Sequence, residues 1–274
     1  MLRGFYTAAS GMMTQQRRQE TLSNNIANAQ TPGFKQDQTS IRAFPELLIQ
    51  SMESTELSTA NGFSTPRKKT IGSINTGVYL QETIPDYGQG GLKDTGIATD
   101  MALVNGTLPD ETGSIFFTVQ NAVGEERYTR NGNFTVDGAG FLTTNQGYYV
   151  LDNAGNPIST GGQTFSVTNN GTIQVGGQEI PLAINYSPNA NDMVKDDENL
   201  FAMSEDGAAM EDARATAGLS FTVQQKYLEN SNVDAVQTMT DMMRAYRMFE
   251  TNQKVLQAYD QSMDKAVNQI GRLT

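Results

Sequence analysis

The side chains able to do bond-making chemistry are few in this 274-residue chain, and the two most versatile types are missing. It has no Cys and no His, which excludes a thiolate nucleophile, an imidazole base, a zinc finger and a thiolate-held iron–sulfur cluster. Three clusters remain to be weighed. Asp196-Asp197-Glu198 is a run of carboxylates, but consecutive residues point in different directions and rarely converge on one ion, so it reads as a solvated turn. Asp152-Asn153-Ala154-Gly155-Asn156 has calcium-loop residue types without the Asp/Asn spacing and distal Glu of an EF-hand, and also reads as a turn. Arg67-Lys68-Lys69 could touch an anionic surface, yet exposed pairs are worth about 1 kcal/mol or less. A paired-carboxylate glycosidase needs no His, although no sequence spacing can show the separation of roughly 5 to 10 Å that it requires. The expectation is a protein that is not an enzyme, with no catalytic, cofactor-binding or metal site and no small-molecule substrate.

Charge narrows the partners. With 19 basic and 30 acidic residues the net charge is -11, which argues against nucleic acid, because phosphate-binding sites concentrate Lys and Arg. Without Cys there is no disulfide framework and no redox clue to compartment. Residues 1 to 13 carry one Arg and a polar-punctuated stretch, too weak for a secretory signal, and no transmembrane run follows.

The elements that must carry any function divide the chain into three. Pro is absent before Pro32 and after Pro188, no Gly or Pro interrupts Leu219 to Ile270, and 22 of the 26 Gly lie between Gln36 and Asn230. The tail is therefore helical and the middle is built from turns. Residues 1–35 carry a net +3 and residues 231–274 a net 0, leaving -14 in the middle. A solvated acidic body on near-neutral or basic arms suggests that the arms meet other protein.

In the tail, Ala235, Met239, Met242, Tyr246, Phe249, Gln253, Leu256, Asp260, Met263, Val267 and Ile270 alternate in spacings of four and three, the seam of a heptad-type helix. At about 1.5 Å per residue it would run roughly 50 Å and needs a partner along its length. Gln253 and Asp260 either fix register within the seam or lie at its wet margin. At the other end Leu2, Phe5, Tyr6, Ala9, Met12 and Met13 form an apolar stripe, and Leu22, Ile26 and Ala29 resume it before Thr31-Pro32-Gly33 ends the helix.

The centre reads as strands at Ser114 to Gln120, Asn133 to Val136, Phe141 to Thr144, Tyr148 to Leu151, Thr164 to Thr168 and Ile180 to Ile184. Asn131-Gly132, Asp137-Gly138, Asn170-Gly171 and Gly176-Gly177 supply hairpin turns between such runs. The fold class is α+β: an all-β, sandwich or barrel-like, central domain with N- and C-terminal helices pairing as a coiled-coil-like helical domain. Residues 1–35 plus 231–274 form that helical domain, 36–79 an extended connector and 80–230 the β-rich body.

Leu22-Ser23-Asn24-Asn25-Ile26-Ala27-Asn28-Ala29-Gln30-Thr31-Pro32-Gly33-Phe34-Lys35 resembles the N-terminal signature of the flagellar rod, hook and hook-associated family. Tyr6-Thr7-Ala8-Ala9-Ser10-Gly11-Met12 is similar to its opening helix. Tyr227-Leu228-Glu229-Asn230-Ser231-Asn232-Val233 is similar to its other hallmark. Gln89 to Gly96 and Tyr128 to Asp137 look like core elements of its β domain. Length and a single β domain make the distal-rod class the nearest likeness. One departure is that Thr107 to Gly113 intervenes where the family continues into a Gly-Phe-Phe-type strand.

The resemblance implies a structural subunit, exported by the flagellar type III apparatus without a cleaved signal, that polymerises helically with itself and with other rod and hook subunits. Its assembly interface would be Leu2, Phe5, Tyr6, Met13, Leu22, Asn24, Asn25, Ile26, Asn28, Met239, Met242, Tyr246, Phe249, Gln253, Leu256, Met263 and Val267. The other classes are a secreted β-rich adhesin or wall-associated protein, which would normally carry a signal peptide, and a coiled-coil scaffold, which leaves the Asn-rich signature unexplained.

Overall fold

The computed structural model describes residues 2–56, 64–110, 112–196, 199–204, 207 and 209–270. Asp197 and Glu198 of the acidic run lie outside them, as do the side chains of Arg67, Lys68 and Lys69. Two compact units emerge. One comprises residues 1–23, 38–83 and 236–274, the other residues 24–37 and 84–235.

The first unit holds most of both helices, α1 (Leu2–Ala27) and α2 (Ala235–Lys265), the latter continuing into a wider turn at Ala266–Ile270. Where the sequence suggests an extended connector, the chain forms strands: β1 (Asp37–Ala43), β2 (Leu47–Glu56), β3 (Ser64–Ile74) and β4 (Val78–Pro85). β2 pairs with β3 in a long antiparallel hairpin, and β1 pairs with β4. Polar, weakly alternating strands of this kind give little periodic signal, because few of their faces are buried.

The second unit is the β body. Its main sheet has nine strands, with Ser114–Gln120 flanked by Glu126–Thr129 and by both Tyr149–Val150 and Ile184–Ser187. Ser114–Gln120 is buried almost throughout. Alternate side chains feed two cores: Ile115, Phe117 and Val119 join Met101, Leu103, Phe134 and Leu142 in one, and Phe116 packs with Phe201 and Tyr87 in the other. Period-two geometry makes a continuously apolar run readable as a strand covered on both faces.

The hairpin signals at Asp137-Gly138, Asn170-Gly171 and Gly176-Gly177 each join antiparallel neighbours. Asn131-Gly132 does not; it links strands with different partners, and its Gly132 lies so close to Met101 that no Cβ would fit. Ile180 to Ile184 divides between two strands, Gln178–Pro181 and Ile184–Ser187, which belong to different sheets. Asp152 accepts the N–H groups of Ala154 and Asn156 through Oδ1, forming an Asx turn. Asp196 binds Arg127 at 2.8 Å.

Candidate assembly interface

The helix pair is built on clearance. A methyl group on Gly4 would collide with the Tyr259 ring, and one on Gly11 would lie 3.0 Å from Asn252 Nδ2. Seven residues forward on α1 is seven residues back on α2, so the helices run antiparallel. Among the sheltered positions of α2, Thr238, Met242, Ala245, Phe249, Asn252, Leu256, Tyr259, Met263 and Ala266 form an unbroken alternation of four and three, with Ala235, Thr240, Asp241 and Glu250 half-buried beside them. On α1 the matching row is Gly4, Ala8, Gly11, Gln15, Arg18 and Leu22. Small residues on one helix admit larger ones on the other, bringing the backbones close.

This seam shares Met242, Phe249, Leu256 and Met263 with the row read from the sequence. The other half of that row faces outward: Met239, Tyr246 and Val267 are 52%, 54% and 71% exposed, and Gln253 is exposed as well. On α1, Phe5, Leu22 and Ile26 are half-buried, whereas Tyr6 and Met13 are exposed. Leu2 starts the helix, and its side chain lies outside the described residues. A further face of α1, unsignalled by hydrophobicity, holds the start of β4. Thr7 donates to Thr76 O at 3.0 Å, Thr14 to Val78 O at 3.2 Å, and Ser10 Oγ accepts the Val78 N–H.

The Asn-rich signature lies where α1 ends. Asn25 is buried, and its amide both accepts from Asp37 N and donates to Asp37 O at 2.9 Å, copying a strand's pairing with a side chain. Asn28 donates to Asn24 O and accepts from the Thr31 hydroxyl, closing the helix end. Asn24 is exposed.

Within the β body the quoted hallmark segments converge on one buried carboxylate. Glu229 Oε1 meets Lys35 Nζ at 2.7 Å and Oε2 meets Arg130 Nη2 at 2.8 Å, all three side chains being inaccessible to solvent. The Gly90 N–H adds a further bond to Oε1. Arg130 spends its remaining donors on Ile115 O, Leu103 O and Asn105 Oδ1, and Lys35 donates to Gly88 O. The surplus positive charge is thus spread over carbonyl oxygens, as a buried ion cluster requires. Burial opposes ionisation of Glu229, but Arg130 and then Lys35 outweigh it and hold the carboxyl below its usual range. At Lys35 burial dominates, with Arg130 adding to it, and the ammonium is pulled down to about 8.

Backbone contacts complete the join. Gly33 donates to Glu229 O at 2.8 Å, and Asn232 accepts from Gln36 N and donates to Asp86 O at 2.8 Å. Lys195 sits over the Phe34 ring and binds Asp37 at 3.1 Å. These segments carry the family signatures, but nothing local in the sequence gives Lys35, Arg130 or Glu229 a role, since they lie up to 194 positions apart. The arrangement is chemically closed, since every oxygen of Glu229 is occupied and no solvent reaches it.

Residues 5–35 match the family described as flagella basal body rod protein. Residues 112–175 match the flagellar hook protein FlgE/F/G D1 domain, and residues 224–270 the flagellar basal body rod FlgEFG protein C-terminal domain. The flagellar hook-basal body complex protein FlhO of Bacillus subtilis is 40% identical over the full length of both chains. The flagellar basal-body rod proteins FlgG of Caulobacter vibrioides and Agrobacterium fabrum are 32% and 31% identical, the alignments covering 94% and 95% of this chain and 95% and 96% of theirs. With both ends and the β body matched in order, the chain belongs to the family of flagellar basal-body rod and hook proteins, whose members are structural subunits.

Proposed function

We propose that this chain is a structural subunit of the flagellar rod that assembles helically with copies of itself and with neighbouring rod and hook subunits. It reaches its place through the flagellar type III export apparatus, takes the position of a distal-rod component and catalyses nothing. The observation that carries the reading is the division of α2 into two apolar faces: one is used on α1, and the other, marked by Met239 and Tyr246, is left outward. An apolar helical face needs a partner to offset its hydration, and identical subunits repeating head to tail supply one. The residues proposed for this contact are those of the outward faces, with Tyr6 and Met13 on α1 and Met239, Tyr246, Gln253 and Val267 on α2. Met242, Phe249, Leu256 and Met263 hold the pair that presents them.

Deleting the gene and isolating basal bodies tests this. Rods should be short or missing and swimming lost, with both restored by the wild-type chain. Intact rods with normal swimming would sink the reading.

A further inference from the structure

Within the helical unit, α1 and the start of β4 enclose an apolar groove of about 170 Å³. Phe44 and Tyr79 stack as one wall with ring centroids 5.1 Å apart, Val78 lines it, and Met13 and Arg17 stand at its rim on α1. We infer that this groove is the socket for the outward stripe of α2 from a second copy, with Tyr246 entering beside Met13 and Glu250 meeting Arg17. The inference rests on the structural-subunit reading above and names the contact that reading requires.

Three observations select this occupant. First, the stripe Met239, Met243, Tyr246 and Glu250 occupies one face at spacings of four, three and four, and its first three residues are exposed. Second, charges complement each other. Arg17 is the groove's sole charged lining residue, Glu250 is the one charge of the stripe, and among the described residues neither has an ion-pair partner. The offset from Met13 to Arg17 equals that from Tyr246 to Glu250. Third, the chain's own stripe is not available. Its α2 meets α1 along the Gly4 and Gly11 face, whereas the groove lies on the Ser10 and Thr14 face. Socket and stripe are different surfaces of one molecule, so the contact is heterologous and propagates instead of closing.

The absence of Cys permits a clean test on the full-length chain. Met13→Cys and Met243→Cys are made separately, mixed at concentrations where the wild type sediments as oligomers, and mildly oxidised. A mixed disulfide should accumulate faster than either homodimer. Arg17→Glu added to the first variant should weaken it about fivefold, the factor for an exposed pair of about 1 kcal/mol, and Glu250→Arg added to the second should restore it. Homodimers forming as readily as the mixed species, or a yield indifferent to both reversals, overturns the socket while oligomerisation itself stands. A wild type that never self-associates would overturn the subunit reading together with the socket.

Discussion

Glu229 is the residue whose loss the body should tolerate least, because it pairs directly with two buried cations. Removing one member of such a cluster leaves uncompensated charge in the core, a cost of about 3–5 kcal/mol. Arg130→Ala should therefore lower the melting temperature of the full chain far more than Arg127→Ala, whose partners are part-exposed. The pH dependence has the same sign on two limbs. Glu229 titrates lower when folded, so its contribution is present above the ordinary carboxylate range and fades as pH falls through the folded value. Lys35 also titrates lower when folded, at about 8 against 10.5, so between these values the unfolded chain binds more protons and stability rises with pH. Chemical denaturation from pH 3 to 10.5 should show both rises, and Lys35→Met should abolish the alkaline one. Gly33 makes a separate demand. Its φ of 69° and the adjacent Arg130–Asn131 backbone exclude a side chain. Gly33→Ala should cost about 1–3 kcal/mol, whereas Gly91→Ala, with open space around it, should melt like the wild type.

At the scale of elements, α2 separates folding from assembly by helical face. Phe249→Asp places a charge in the seam against α1 and should reduce helical circular dichroism in the monomer. Tyr246→Asp alters only an outward position, so monomer stability should stay within about 0.5 kcal/mol while incorporation into rods is lost. Helix lost in Tyr246→Asp and kept in Phe249→Asp would show that the faces are exchanged, and equal helix content would show that they do not divide folding from assembly. The alternation of four and three was legible from the sequence, but its phase was legible for only half of the positions. Hydrophobicity favours Met239 and Tyr246, whereas the seam uses Thr238, Ala245 and Asn252 on α2 and Gly4, Ala8 and Gly11 on α1, Gly4 facing Tyr259 and Gly11 facing Asn252. Small residues act by letting backbones approach, and that leaves no mark on a hydrophobic pattern. The strands of the body and three of its four hairpin turns were readable because burial and turn chemistry are local. The ion cluster was not, since its members are joined only by tertiary topology.

For the whole molecule, the position of Lys35 redraws the boundary of what folds alone. Residues 24–37 cluster with the β body, so a chain trimmed of residues 1–35 loses a core ion and should melt early. One trimmed of residues 1–23 and 236–274 should keep a cooperative transition, measured by calorimetry on both. The ion cluster also sets an order of events. As the chain is synthesised from its N-terminus, Lys35 comes early, Arg130 midway and Glu229 late, so the longest loop of the cluster closes last. Until then two cations lack the anion that makes their burial tolerable, so the body is expected to consolidate only once Glu229 is present. A chain ending before Tyr227 should accordingly stay protease-sensitive and give no cooperative melt. The salt cluster thus makes the last strand of the body, Tyr227–Glu229, the piece on which its consolidation is expected to wait.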